Sequence, residues 1–328
     1  MLLQSHTQNS GVILKDLEIE STNFYEKLNH LDIIKTKDGS ISLKSSEFKE
    51  PFHCSLGAKK EALEKFIYPS DLKNYERSKN LFTLDVCFGM GYNTACLMEE
   101  LHNHKISLNW WGLEKDKSPL TIALNKDIYT SGWSNETLSN LKAIQCLNHW
   151  KTKSGEGQML WGDARQQIHL IPHEIKFDLI FLDPFSPQKC PELWTEEFLK
   201  TLSRKLSKKG RIITYCTAAA IRATLRRTGL EIRSILPTNL HLRDWSIGTI
   251  ASKDFEIEKN TANSVNLWQS LTQMEEAHLK TNASIPYRDP HGKSSKEEIL
   301  KRRAIEQQSS NFEATSSWKK RWINTKSN

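Results

Sequence analysis

Apolar and polar positions follow two different periods along this chain, and the places where the period changes divide it. Residues 1–35 are polar with weak periodicity, which predicts an irregular or helical lead-in. KTKDGSISLKSSEFKEPFHCS then sets a turn at Asp38-Gly39 between short alternating stretches, the pattern of a β-hairpin. Ala58, Ala62, Leu63, Phe66 and Ile67 recur at helical spacing, with Pro69 as the stop. From residue 80 strand-like and helix-like segments alternate. LFTLDVCF precedes NTACLMEELHNH, ISLNWWGLEKD precedes SPLTIALNKDIY, and GQMLWGDARQQI turns from strand into helix. KFDLIFLDPF follows as a strand, then a helix over PELWTEEFLKTLSRKLSKKG with a glycine stop, the strand GRIITYCT, and a further helix and strand in AAAIRATLRRTGLEIRSIL.

This alternation predicts βαβ units: an α/β, Rossmann-like domain over 80–252, with a parallel sheet covered by helices on both faces. Residues 1–79 form a small hairpin-and-helix segment before it, and 253–328 a helical, basic appendage. In the appendage NLWQSLTQMEEAHLK and SSKEEILKRRAIEQQ read as helical. SIPYRDPHGK separates them, kept irregular by Pro286 and Pro290.

Composition narrows the class. At 328 residues the chain can hold one large domain with extensions, and its mean hydropathy of -0.57 leaves much of the surface polar. No apolar run approaches the ~18–20 residues of a membrane span. The start, MLLQSHTQNSGVILKDLEIE, lacks the basic and long apolar regions of a signal peptide, so a cytoplasmic protein without membrane contact is expected. The six cysteines are scattered with no C-x-x-C pair, which disfavours a metal site and fits reduced thiols. Cys190 is a candidate nucleophile by position alone, with no histidine nearby to serve as its base.

Net charge is +7, unevenly placed. From Lys200 to Arg233 ten Lys/Arg face a single acid, Glu231, and the tail adds a second basic stretch from Lys301 to Lys326. Such stretches point to a polyanionic partner.

Ligands of open α/β sheets lie outside the carboxyl ends of the strands. Those ends carry a series here: Asp85 with a glycine turn, Glu114, Asp163 and Asp183. In LDVCFGMGYN, Gly89 and Gly91 follow a strand and open a helix, letting a ligand approach the backbone. A dinucleotide fingerprint would need a third glycine where Thr94 stands. The acid before the turn favours a nucleotide carrying a cationic sulfonium, and D-x-x-x-G-x-G points to S-adenosylmethionine. Glu114, 23 residues after Gly91, is placed to take both ribose hydroxyls, and Asp163 in WGDAR to accept from the adenine amino group.

In DPFSP, Asp183 ends the fourth strand where it can hold the N–H groups of an amine and take up its developing charge. Phe185 is placed to wall a target base. Capping of the helix that follows is the competing structural role for Asp183.

LDVCFGMGYN, GDARQQI, FDLIFLDPFSPQKCPELWT and GRIITYCTAAAIRATLRRTGL together resemble the methyltransferase of the MnmC/MnmD family, which modifies tRNA. The upstream segment 38–67 and the downstream GTIAS and PYRDPHGKSSKEEILKRR resemble it as well, so the likeness spans roughly residues 35–305. The resemblance implies a class I methyltransferase fold. It also implies methyl transfer from S-adenosylmethionine to the 5-aminomethyl group of the tRNA wobble uridine, giving the 5-methylaminomethyl form.

It assigns Gly89, Gly91, Glu114 and Asp163 to the cofactor, adds Asn93 from the family's glycine loop, and makes Asp183 the catalytic carboxylate. Bifunctional members carry a flavin domain, and none is expected in this chain. Cys87-Phe88 and Met90 depart from the family's usual loop residues. Arg222, Arg226 and Arg227 are expected to contact tRNA phosphates. Two alternatives stand beside this reading: an aminopropyltransferase of the spermidine-synthase type, which needs an acidic polyamine pocket, and a non-catalytic RNA-binding relic.

Overall fold

The computed structural model describes residues 31–75, 80–239, 246–255 and 267–324. The N-terminal segment is a three-stranded antiparallel sheet. β1 (Leu31–Lys35) pairs with β2 (Ile41–Ser45), and β3 (Glu50–Pro51) pairs with β2. The Asp38 side chain closes the β1–β2 turn by accepting from Thr36 Oγ1 at 2.8 Å and the Ser40 amide at 2.9 Å, while Gly39 takes φ 85. Helix α1 (Ala58–Ala62) passes through a π-helical turn (Leu63–Ile67) into Tyr68–Ser70 and ends on Asp71 in the left-handed region.

The main sheet has nine strands: β4 (Asn80–Val86), β5 (Ser107–Glu114), β6 (His149–Thr152), β7 (Gly155–Trp161), β8 (Phe177–Leu182), β9 (Leu206–Thr214), β10 (Glu231–Ile235), β11 (Gly248–Ser252) and β12 (Trp268–Gln269). Their order is β12-β10-β11-β9-β8-β4-β5-β7-β6. The central run β7-β5-β4-β8-β9 is parallel. β5 lies on one side of β4 and β8 on the other, so the strand order reverses at β4 and opens a crevice at the carboxyl end of the sheet.

Alternation along the strands builds one core on each face. Leu179 and Phe181 join the core that holds Leu97 of α2 (Tyr92–His104) and Leu141 of α3 (Asn135–Leu147). Ile180 and Leu182 join the core that holds Leu199 of α4 (Glu196–Lys205) and Ile221 of α5 (Ala219–Arg227). Each such fully buried aliphatic side chain contributes about 1.5–3 kcal/mol.

The expected sheet is corrected in kind: it is mixed. β11 inserts antiparallel between β9 and β10, and β6 and β12 line the two edges antiparallel. The helix expected to run to Gly210 ends at Lys205, because Leu206 turns extended and pairs with Phe177. Gly210 sits at the irregular register between these strands, where a Cβ would collide with the Phe177 carbonyl, so it serves a bulge rather than a helix stop. Within NLWQSLTQMEEAHLK, expected to be helical, Trp268–Gln269 is strand. Its helix, α6 (Gln273–His278), begins only at the Thr272–Glu275 capping box. α7 (Lys296–Ser309) and α8 (Thr315–Asn324) complete the C-terminal segment. The lead-in expected to be irregular or helical over 1–35 is strand at Leu31–Lys35, where it pairs with β2, and its first 30 residues lie outside the described residues. Among those described, no helix is long and apolar enough to cross a membrane.

Candidate active site

The β4–α2 connection is a glycine turn, with Gly89 at φ 56 and Gly91 at φ 82. A Cβ on Gly91 would lie 2.6 Å from the Phe88 ring and one on Gly89 3.3 Å from Phe52, so the turn is shaped for glycine. Cys87, at φ 68, shares the left-handed conformation without being glycine. Glu114, ending β5, ties the turn down: Oε2 accepts from the Gly89 amide at 2.9 Å, and Oε1 from the amides of Lys115 (2.6 Å) and Asp116 (2.9 Å). Three of roughly four lone-pair sites are filled, which leaves one on Oε2 for a ligand hydroxyl. Burial raises the Glu114 pKa against these hydrogen bonds.

Asp85 stands elsewhere than expected. It is fully buried in β4, with Oδ2 accepting from Thr94 Oγ1 at 2.6 Å, and Thr94 Oγ1 accepting from Trp110 Nε1 at 2.9 Å. With no surface on the crevice it supports the start of α2 from below instead of touching a cofactor directly. Its Oδ1 has no hydrogen-bond partner among the described residues, and burial raises its pKa to about 7.

Asp163 caps the short helix Ala164–Gln167 through the Arg165 amide (2.9 Å). It also holds the Arg165 guanidinium at 2.6 Å, which in turn reaches Asp289 at 2.7 Å and so ties the C-terminal segment to this corner. Its side chain keeps 38% of its surface exposed, room for one further polar contact.

Asp183 leaves β8 with its amide bonded to the Val86 carbonyl at 3.1 Å, which sets it beside the glycine turn. The buried amide of Asn93, expected on the cofactor, instead donates from Nδ2 to Asp183 Oδ2 at 2.8 Å. Burial pushes the Asp183 carboxyl well above the usual range. The Glu61 carboxylate adds to the rise and the Asn93 hydrogen bond opposes it. The capping role does not apply: Thr195 caps α4, accepting from the Phe198 amide at 3.4 Å.

The loop after Asp183 is held at every turn. Tyr215 donates to the Pro184 carbonyl (2.8 Å), Trp194 Nε1 to the Phe185 carbonyl (2.8 Å), and the Cys190 amide to the Ser186 carbonyl (2.9 Å). Cys190 is no activated nucleophile, since burial raises its thiol pKa.

The N-terminal sheet supplies residues that sequence reasoning missed. Glu50 accepts from both the amide (3.1 Å) and the hydroxyl (2.6 Å) of Ser186. Phe48 stacks on Phe185 at 4.3 Å, and Phe52 meets Phe185 edge-on at 5.0 Å. His53 hydrogen-bonds Ser42 (3.1 Å), and burial lowers its pKa to about 4, leaving it neutral near pH 7. The one available signal was the aromatic spacing in SSEFKEPFH, which the hairpin pattern alone did not single out.

Of the expected phosphate-binding arginines, Arg222 is corrected. Arg222 is 2% exposed. Its guanidinium bonds Glu275 (2.7 Å), Thr249, Ser234, Ser246 and the Gly248 carbonyl, so no donor points to solvent. Arg226 is paired twice with Glu276 and Arg227 once with Glu196. Both stand at the end of α5 that returns to the amino edge of the sheet, opposite the Asp183 loop. Others of the basic stretch are also occupied: Lys205 with two carbonyls, Arg211 with the Ser70 carbonyl and the Trp268 ring, and Arg233 with Glu231.

A glycine turn tied down by one strand-end carboxylate thus lies beside a second, buried carboxylate, Asp183, whose loop carries the Phe48–Phe185 stack. Residues 133–237 match the family described as S-adenosyl-L-methionine-dependent methyltransferase. An uncharacterised protein of Methanocaldococcus jannaschii is 28% identical over 280 residues, 83% of this chain and 71% of that one. The tRNA 5-methylaminomethyl-2-thiouridine biosynthesis bifunctional protein MnmC of Paraburkholderia phymatum is 26% identical over 207 residues, 57% of this chain. The matched region is 30% of that bifunctional relative. The crystal structure of MNMC2 from Aquifex aeolicus superposes with a TM-score of 0.71 at 24% identity, covering 92% of this chain and 97% of that one. The fold is thus that of the class I S-adenosylmethionine-dependent methyltransferases, and S-adenosylmethionine is the cofactor.

Proposed function

We propose, from the premise that this chain belongs to the MnmC/MnmD-type family of S-adenosylmethionine-dependent methyltransferases, that it methylates the 5-aminomethyl group of the tRNA wobble uridine to give 5-methylaminomethyluridine. The observation that carries this reading is the Asn93–Asp183 pair beside the glycine turn. When bound, the cofactor supplies an electrophilic methyl carried on a sulfonium.

The chain's own residues prepare the other reactant. An alkylammonium has a pKa near 10 and must lose a proton before its lone pair can attack. Asp183 is a suitable acceptor because burial has raised its pKa toward that of the amine, so the proton moves over a smaller gap. Asn93 fixes the Oδ2 lone pair, leaving Oδ1 to orient the remaining N–H. Asp183 then passes that proton on to water, so that as the new N–C bond forms and nitrogen becomes cationic the carboxylate is again charged and stabilises it. Glu114 and Asp163 are the residues assigned to the ribose and the adenine, and Gly89 and Gly91 leave room for the nucleoside. Phe185, backed by Phe48 and Phe52, walls the acceptor base.

Nucleoside mass spectrometry of bulk tRNA from cells with and without this protein tests the assignment. Loss of 5-methylaminomethyluridines with accumulation of aminomethyl precursors is expected. An unchanged nucleoside profile would reject it.

A further inference from the structure

With Arg222 buried in an internal ion pair and Arg226 and Arg227 in surface pairs away from the Asp183 loop, another surface is better placed to meet RNA at that loop. The turn between β2 and β3, residues 46–49, offers one at the acceptor pocket itself. It is pressed onto the Asp183 loop by Glu50 on Ser186 and by the Phe48–Phe185 stack. Lys49 follows Phe48 directly and takes φ 55, a left-handed conformation that costs a residue with a Cβ about 1–2 kcal/mol. Glycine would fit there without strain, yet the position holds a lysine that is exposed. Lys189, half-buried, lies on the same loop as Phe185, and Lys44 is exposed on β2 opposite Pro51. None of the three lysines has an ion-pair partner among the described residues. The nearest acid, Glu50, spends both oxygens on Ser186, and Glu47 is exposed in the same turn.

We infer that the β2–β3 turn and the Asp183 loop together form the RNA-docking face. Phe48, Phe52 and Phe185 receive an unstacked pyrimidine, and Lys49 and Lys189 take the phosphates on either side of it. An apolar aromatic wall flanked by unpaired cations matches a single-stranded nucleotide in an RNA loop, whose base has an apolar face and whose backbone is anionic. The left-handed Lys49 is the cost of turning a cation outward next to the wall. This inference rests on the tRNA reading above and adds where the RNA sits.

The test uses tRNA binding by the purified protein, measured across a salt series, for the double variant Lys49→Gly/Lys189→Ala. Glycine keeps the turn, so the melting temperature should hold or rise. Affinity for tRNA at low salt should weaken about tenfold and the salt slope should fall by about 1.4–1.8, the share of two phosphates. Binding of S-adenosylhomocysteine should be unaltered. A charge-matched control, Lys200→Ala/Lys208→Ala, removes two exposed lysines outside this face and should leave the slope near wild type. Phe48→Ala should weaken binding of an anticodon stem-loop while leaving the salt slope alone, since stacking carries no counterion release. If the Lys49/Lys189 variant keeps wild-type affinity and slope while the wild type binds and methylates tRNA, this docking face is wrong and the proposed function stands. If the wild type neither binds nor methylates tRNA, both fall.

Discussion

Asn93 and Asp85 show how one buried polar group can position another. Asn93 donates to Asp183, and its hydrogen bond holds the carboxyl lower than burial alone would. In the proposed mechanism methyl transfer needs the carboxylate, so activity should fall as pH drops through the Asp183 pKa. Asn93→Ala should move that limb to higher pH and lower kcat about tenfold, the cost of ~1–3 kcal/mol for leaving a buried acceptor without its donor. A pH–rate profile checks both. Asp85 behaves as a sensor of folding. Its folded pKa of about 7 lies above its ordinary 3.8, so its contribution to stability is complete below about pH 4 and is lost as pH rises through 7. Melting curves at pH 5 and pH 8 should show wild type losing stability relative to Asp85→Asn on going up. A constant difference between the two proteins would contradict the assignment. Asp183 was legible because the apolar run FDLIFL ends on it. Phe48 was not, because a lone aromatic in a polar turn reveals its stacking partner only when a loop 137 positions away folds against it.

At the scale of elements, the hairpin segment is fastened to the Asp183 loop by few bonds. Glu50→Ala should free Ser186, raise the KM for tRNA and lower kcat several-fold, with cofactor affinity unchanged. Ser186→Ala should do much the same. In the double variant the two losses should not add, because they share one contact. Full additivity would mean Glu50 acts on something else. Asp183 was readable at this scale because β8, nearly all buried, runs almost continuously apolar up to it. What escaped were β6, β11 and α3. β11 is the short GTIAS between segments that are not apolar enough to signal a central strand, yet all five of its residues are buried. Its placement depends on pairing with both β9 and β10, which no local pattern encodes.

The whole molecule is held together by ion pairs that the sequence presents as a basic stretch. Arg222 reaches Glu275, 53 residues further on, and ties the C-terminal segment to the sheet. Net charge and clustering are visible in a sequence, but which charges are consumed internally depends on contacts this distant. Arg222→Met should destabilise the fold by about 3–5 kcal/mol, since it strands a partly buried Glu275. The partnership lowers the Glu275 pKa to about 2 from 4.5, so its stabilisation is present above pH 4.5 and fades as pH falls toward 2. The variant should lack that acid-side loss in denaturant titrations, while retaining methyl transfer at low temperature. On the proposed function, this fold brings an amine of tRNA to Asp183 beside a bound methyl donor. Its most direct test is incubation of purified protein with S-adenosylmethionine and tRNA carrying 5-aminomethyluridine, followed by nucleoside mass spectrometry. Wild type should yield 5-methylaminomethyluridine and Asp183→Ala none, although that variant still binds S-adenosylhomocysteine. No product with wild type, or equal product with Asp183→Ala, would contradict it.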